Sequence, residues 1–357
     1  MKEKAKRNLG NIFGSLISNQ RAIDGAKEMP WYVALIFLLL SAFIPVIPLM
    51  TNISSSYGSQ FLKTYTYDLD TALTGAAINM RKENKEFIIK DDKLTYYVDN
   101  TPKIIDTTQD LTPVGSYINS QTNEYELLIY HSSRLTSKVE NNLSNLINEV
   151  NKIKFISGST NEYVEGTEGV TTYIPHILIL HTDVLYLVTY KIGTTTVANT
   201  LSGYNYKNLT KLSSNNQLNL LEYTLTVDGK ILDDTSIIDT ANKSAVLSNW
   251  KKVFDKAYED VKSRTLLYNT LIFIGIYFGL ILFMGLMVWL LTRGKKNMFH
   301  FLKIWDCQKI SYWASLSPAI LALILGFIMP QFASMSFIVL EGIRIMWLSM
   351  KQLKPTY

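Results

Sequence analysis

Glu341 and Arg344 are the residues whose types and spacing first suggest chemistry. Three positions apart, they fall on one face of a helix, and they stand inside an otherwise apolar run where a charge is expensive. One reading gives them an ion path or a contact with a partner's span. The preferred reading is an internal ion pair near the inner interface, because Arg344 lies seven residues before Lys351 and can extend toward water. His176 and His181, five apart, would point to opposite faces of a single strand, and no cysteine stands near to complete a metal site. Glu162, Glu165 and Glu168 lie beside Gly158, Gly166 and Gly169 without the ordered ligand spacing of a calcium loop, so they read as a solvated loop.

Other chemistry is missing from the sequence. It carries no phosphate-binding loop, no dinucleotide fingerprint, no His-Glu-x-x-His and no Gly-x-Ser-x-Gly. Cys307 is the single cysteine, so no disulfide can form within the chain. The expectation is a non-enzyme with no catalytic, cofactor-binding or metal-binding residues.

The elements that would hold these residues are set by long uncharged runs. Residues 31–50 contain no charged side chain, and about 20 such residues span the ~30 Å hydrocarbon core of a bilayer. Residues 269–292 hold a second such run. The stretch from Trp313 to Met350 would be about 57 Å long as one helix, nearly twice the bilayer core. Proline at position 330 removes a backbone donor near its midpoint, which predicts two spans, 313–329 and 332–350. Net charge is +3 over residues 1–50, −4 over 51–268 and +6 over 269–357. Positive charge beside spans marks the cytoplasmic side, so both termini (1–30 and 351–357) and the basic loop 293–312 belong inside and residues 51–268 outside. Trp31, Trp289, Trp313 and Trp347 fall at the inner ends of the spans, with Trp305 in the inner loop. The overall charge of +5 is thus a topology signal and does not indicate nucleic acid. Leu9, Ile12, Phe13, Leu16 and Ile17, with Arg7 and Arg21 at the ends, suit a helix over residues 8–26 lying in the inner interface.

The outer segment reads as an α+β domain, giving the chain the fold class of an α-helical membrane protein with four transmembrane helices and an α+β extracytoplasmic domain. A helix is expected around residues 70–81. Phe87-Ile88-Ile89, the polar Lys90-Asp91-Asp92-Lys93 and Leu94 to Val98 read as strand, turn and strand. Residues 125–130 form another strand, and Ser137-x-x-Glu140 caps a helix with an apolar stripe. Residues 174–190 are apolar enough for a further span, but His176, His181 and Asp183 interrupt them and favour a hairpin turning at 181–183. A second hairpin is expected over 222–232, with Asp228-Gly229 as its turn. These hairpins predict an antiparallel sheet packed against helices. Val246, Leu247, Trp250, Val253, Phe254, Ala257 and Val261 form a stripe on a helix that no proline or glycine separates from the second span.

The layout resembles a family of bacterial membrane proteins of unknown function labelled maltodextrin-utilisation (MalA-like) proteins. The resemblance is carried by Asn11-Ile12-Phe13 with residues 32–48, by Phe87-Ile88-Ile89-Lys90-Asp91-Asp92-Lys93-Leu94 with Ile104-Ile105-Asp106-Thr107-Thr108, and by the paired spans after Phe301. It implies an association with sugar uptake and no catalytic residues. The expected role is that of a non-catalytic accessory or sensor protein in the cell membrane. Its partners would be the lipid bilayer and a membrane protein or further copies of itself. The alternatives are a pathway-lining subunit of a transport or secretion complex, which would require Glu341 and Arg344 to face a cavity, and a membrane enzyme acting on lipid or glycan.

Overall fold

The computed structural model describes residues 10–60, 62, 69–104, 112–132, 148–150, 152–164, 169–191, 193–232, 242–293 and 297–353. It divides into a helical unit, residues 1–56 with 264–357, and a sheet unit, residues 57–263.

The sheet unit begins with α4, Leu69–Lys82, whose Leu69, Ala72, Leu73, Ala76 and Met80 lie on a buried face. (The helices α1, Asn19–Glu28, α2, Trp31–Phe43, and α3, Ile47–Ser55, precede it and belong to the helical unit.) Strands β1, Lys85–Lys90, and β2, Lys93–Val98, pair with Phe87 opposite Tyr96 and Ile89 opposite Leu94, all four buried. Only Asp91 and Asp92 separate them, both at positive φ (50° and 64°), the backbone of the two-residue turn that suits the twist of paired strands. With β3, Thr101–Lys103, and β11, Gln217–Asn219, they make an antiparallel sheet of order β11-β1-β2-β3.

A five-stranded sheet, β10-β9-β8-β5-β4, forms the centre. Its strands are β4, Gly115–Asn119; β5, Glu124–Ser132; β8, His176–His181; β9, Val184–Tyr190; and β10, Val197–Asn205. The hairpin expected over 174–190 is present, with Thr182 and Asp183 between β8 and β9. The sheet is not antiparallel throughout: β5 and β8 run parallel, with Leu127 opposite His176 and Ser132 opposite His181. Every residue of β8 is buried, as expected of a strand covered on both faces. Leu178 and Leu180 enter the core under α4, whereas Ile177 and Ile179 pack with Tyr130, Tyr173 and Phe155 on the other face. Phe155 lies in β6, Phe155–Ile156, which pairs with β7, Thr172–Tyr173.

The hairpin expected over 222–232 is shorter. Residues Leu220–Leu225 form a helix, α5, capped by Asn219, and only Thr226–Val227 (β12) and Lys230–Ile231 (β13) pair. Leu220, Leu221 and Leu225 are buried at helical spacing, and that packing outweighs the turn signal before it. The helix expected after Ser137 lies outside the described residues.

Helix α6, Asn242–Thr292, is unbroken over 51 residues and contributes to both units. Its Val246, Trp250, Val253, Phe254 and Ala257 belong to the core of the sheet unit.

In the helical unit, residues 8–26 do not form one helix. The chain turns at Ser15–Ile17, and α1, Asn19–Glu28, starts anew with the Ser18 hydroxyl accepting from the Arg21 amide. Ala22, Ile23, Gly25 and Ala26 are buried. A Cβ on Gly25 would stand 2.6 Å from the Trp313 ring, so glycine allows this close approach. Helix α1 thus packs one face into the helical core and leaves Gln20, Arg21, Lys27 and Glu28 exposed on the other. α2, Trp31–Phe43, passes through a 3₁₀ turn at Ile44–Val46 into α3, Ile47–Ser55, the irregularity falling at Pro45 and Pro48. α7, Ile304–Ile328, opens nine residues earlier than the expected span, so residues 304–312 are helix and not loop. The Asp306 side chain accepts from the Lys303 amide, which fixes that start. The break at Pro330 is present, and α8, Ala333–Lys351, follows it. Among the described residues, three helices are long and apolar enough to cross a membrane: Trp31–Ser55, Asn242–Thr292 and Ile304–Ile328.

Candidate functional site

Among the described residues, a buried glutamate with its neighbours and a cavity at one end of the central sheet each bring polar side chains together. The first is the pair flagged by the sequence. Glu341 is fully buried on α8, and its Oε1 lies 2.7 Å from the Ser315 hydroxyl on α7. Arg344, one turn on, donates through Nε to the Asn19 side chain at 3.1 Å and through Nη2 to the Ser15 carbonyl. Glu341 Oε2 and Arg344 Nη1 have no partner among the described residues. Each group thus has a hydrogen-bonded attachment of its own, carboxyl to α7 and guanidinium to the turn before α1, while their opposite charges still attract. Helix spacing brings the two within reach, but burial among Ser315, Asn19 and the Ser15 carbonyl offers each a hydrogen bond of its own. Arg344 also lines a cavity of about 520 Å³ with Ser18, Asn19, Pro318 and Trp347, whereas Glu341 does not.

The second place is at one end of the five-stranded sheet, where β5 and β8 begin and β9 ends. A cavity of about 190 Å³ opens there, lined by Glu124, Tyr125, Glu126, Tyr173, His176, Tyr190 and Lys191 among others. Pro175, which cannot donate a ladder hydrogen bond, precedes β8 and lets the strand begin at His176. His176 is only 7 % exposed, and its Nδ1 accepts the Tyr190 amide at 3.1 Å. A ring nitrogen that accepts is unprotonated, so the neutral imidazole carries its proton on Nε2. Burial keeps the ring neutral by pushing its pKa down to about 4. Nε2–H has no hydrogen-bond partner among the described residues and is not sealed from the cavity that the ring lines.

The acidic rim is built from β5. Glu124 Oε1 accepts from the Ser157 hydroxyl at 2.9 Å and the Gly158 amide at 2.6 Å, and Glu126 Oε1 accepts from Asn119 at 2.5 Å. Tyr173 accepts the Tyr125 amide at 2.8 Å and donates to the Ser159 carbonyl at 3.1 Å. Burial raises the Tyr173 and Tyr190 phenols to about 12, so both stay neutral.

His181, at the far end of β8, lies apart from this cavity, and the two histidines do not converge. No group of three metal-ligating side chains occurs among the described residues. Of the acidic loop, Glu165 and Glu168 lie outside the described residues. Sequence reasoning passed over His131, buried on β5 against Phe87 and Tyr96, with Nδ1 donating to the Leu180 carbonyl at 2.7 Å and Nε2 unpartnered. It also passed over Glu124 and Glu126, whose alternation along a strand was the available signal.

Compared with known proteins, the chain matches no family model, no curated protein and no solved structure.

Proposed function

We propose that this chain is a non-catalytic integral membrane protein with four transmembrane helices, an accessory or sensor component of a transport-related complex. Both termini lie in the cytoplasm, and residues 51–268 outside it bind a ligand or partner. The observation that carries the reading is the apolar exterior of the helical unit. Leu39, Ile272, Phe283, Ile324 and Val339 are each more than half exposed, on helices otherwise able to bury such groups. Soluble monomers rarely expose contiguous apolar surface on this scale, whereas lipid covers it without penalty. The excess of positive charge beside the spans supports the orientation. Support for a binding role comes from the cavity of the sheet unit, and the resemblance to the maltodextrin-utilisation-labelled family supports an association with uptake.

The deciding experiment is purification of the tagged chain from its native membrane in mild detergent, with mass spectrometry of what accompanies it. A near-stoichiometric transporter or translocase subunit is the expected result. Recovery of the chain in the soluble fraction, or its release from membranes by an alkaline wash, would overturn the membrane reading. A second reading, a subunit that lines a pathway, requires Glu341 and Arg344 both to face a cavity, and of the two only Arg344 lines one. Loss of transport by the associated complex on Arg344→Gln would distinguish it.

A further inference from the structure

We propose that the cavity between α7, α8 and the turn before α1 is a binding site for one anionic phospholipid. The inference rests on the reading of the helical unit as membrane-spanning and adds the lipid that it holds. The cavity measures about 520 Å³, room for a headgroup and the first part of one acyl chain. The rest of the lipid would lie against the exterior of α8, where Val339, Ile343 and Met346 are at least half exposed.

The lining changes character along its length. Leu321 on α7 and Leu340 on α8 stand at the end nearer the Pro330 break. Ile343, Arg344 and Trp347 follow within two turns of α8, about 10 Å of helix, and Ser18, Asn19 and Gln352 complete the polar end. On the orientation proposed above, the apolar end points to the bilayer midplane and the polar end to the cytoplasm. A phospholipid of the inner leaflet presents its chain and its headgroup in the same order.

Charge selects among lipids. Among the described residues, Arg344 is the one charged side chain of the lining. Its guanidinium hydrogen-bonds only neutral groups, the Asn19 side chain and the Ser15 carbonyl, and Glu341 is held by Ser315 outside the lining. Lys351 brings a second cation to the same end, its ammonium 5.2 Å from the centroid of the Trp347 ring, and Trp347 lines the cavity. A zwitterionic headgroup would carry an ammonium into this basic end, whereas an anionic one carries only negative charge. Basic pockets between spans on the cytoplasmic side suit anionic headgroups for that reason.

The test uses the full-length protein, purified in mild detergent and stripped of bound lipid by detergent exchange. Phosphatidylglycerol or phosphatidylcholine with identical acyl chains is added back, and retained lipid is counted by native mass spectrometry. The expected result is one phosphatidylglycerol per chain, bound about tenfold more tightly than phosphatidylcholine. Arg344→Gln is expected to abolish that preference, and Arg344→Lys, which keeps the charge, to retain most of it. Loss of the preference in both variants would show that Arg344 acts by holding the turn before α1, and would overturn the charge assignment. Should Arg344→Gln fail to fold, Leu321→Trp, at an exposed position of the apolar end, is expected to weaken both lipids, and unchanged binding there would place the lipid elsewhere. Equal binding of the two lipids by the unaltered protein would overturn the proposal. Displacement of phosphatidylglycerol by inorganic phosphate would overturn it as well, by assigning the site to a soluble anion. The alkaline wash separates these results from the membrane reading: a chain that stays in the membrane but ignores headgroup charge loses the lipid site alone, whereas a chain that washes off loses both.

Discussion

Ser315 Oγ lies 2.7 Å from Glu341 Oε1 and also 2.7 Å from the carbonyl of Ser311. A hydroxyl has one proton to give and a carbonyl has none, so both contacts are hydrogen bonds only when Glu341 contributes a proton itself. A neutral isostere should therefore serve in its place. Glu341→Gln is expected to keep stability within about 1 kcal/mol, whereas Glu341→Ala, which removes one of Ser315's two partners and leaves a cavity, should lose about 2–4 kcal/mol. Thermal unfolding in detergent decides it. Equal loss in both variants would show that the charge is what Ser315 needs.

Gly25 and Trp313 lock α1 onto α7. A Cβ at position 25 would meet the six-membered part of the indole at 2.6–2.9 Å. Gly25→Ala is expected to destabilise the helical unit by about 1–3 kcal/mol, the usual range for overpacking. Phenylalanine at position 313 is smaller, so the double variant Gly25→Ala with Trp313→Phe should be less damaged than the sum of the two single changes. Additive losses would remove the steric explanation.

The sheet unit should weaken in acid. His131 and His176 are buried and held neutral, with pKa values near 4 in each case chiefly because burial penalises the charged ring. Unfolding returns each to about 6.5, so between pH 6.5 and 4 the unfolded chain binds more protons than the folded one. Stability is full above pH 6.5 and falls as the pH drops toward 4, by up to about 3 kcal/mol for each ring. His131→Phe should reduce the slope over that window by about half. Chemical denaturation at a series of pH values checks this, and an unchanged slope would rule out His131 as a source.

The β1–β2 turn can be improved. Asp91 and Asp92 both adopt positive φ, which glycine tolerates without strain. Asp92→Gly is expected to raise stability by a few tenths of a kcal/mol or more, and Asp91→Pro, fixed near −65°, to unfold the hairpin. Loss of stability in Asp92→Gly would mean that the aspartate side chain contributes more than its backbone angle costs.

Much of the fold was legible from residues close in sequence. The β1–β2 hairpin followed from a polar quartet between apolar triplets, the β8–β9 hairpin from charges interrupting an apolar run, and the α7–α8 break from Pro330. What escaped depends on distant pairing. Nothing local to residues 124–132 says that they lie parallel to 176–181, because that adjacency is set by a crossover of more than forty residues. The cavity is equally non-local, assembled from the starts of two strands, the end of a third and Tyr173. His131 resembles any histidine in an apolar stretch until Phe87 and Tyr96 are placed against it.

The bond from the Tyr190 amide to His176 Nδ1 has one more consequence. The β8–β9 ladder's outermost pair at this end is Ile177 with Val188, and Tyr190 lies beyond it, so its amide is taken by a side chain. A slip of one residue between these strands would send each side chain of the shifted strand to the opposite face and part this bond. The imidazole would then lose its fixed tautomer. The imidazole's tautomer and the alignment of the β8–β9 hairpin are thus coupled, so the face that His176 presents to the cavity reports the register of the strands that form it.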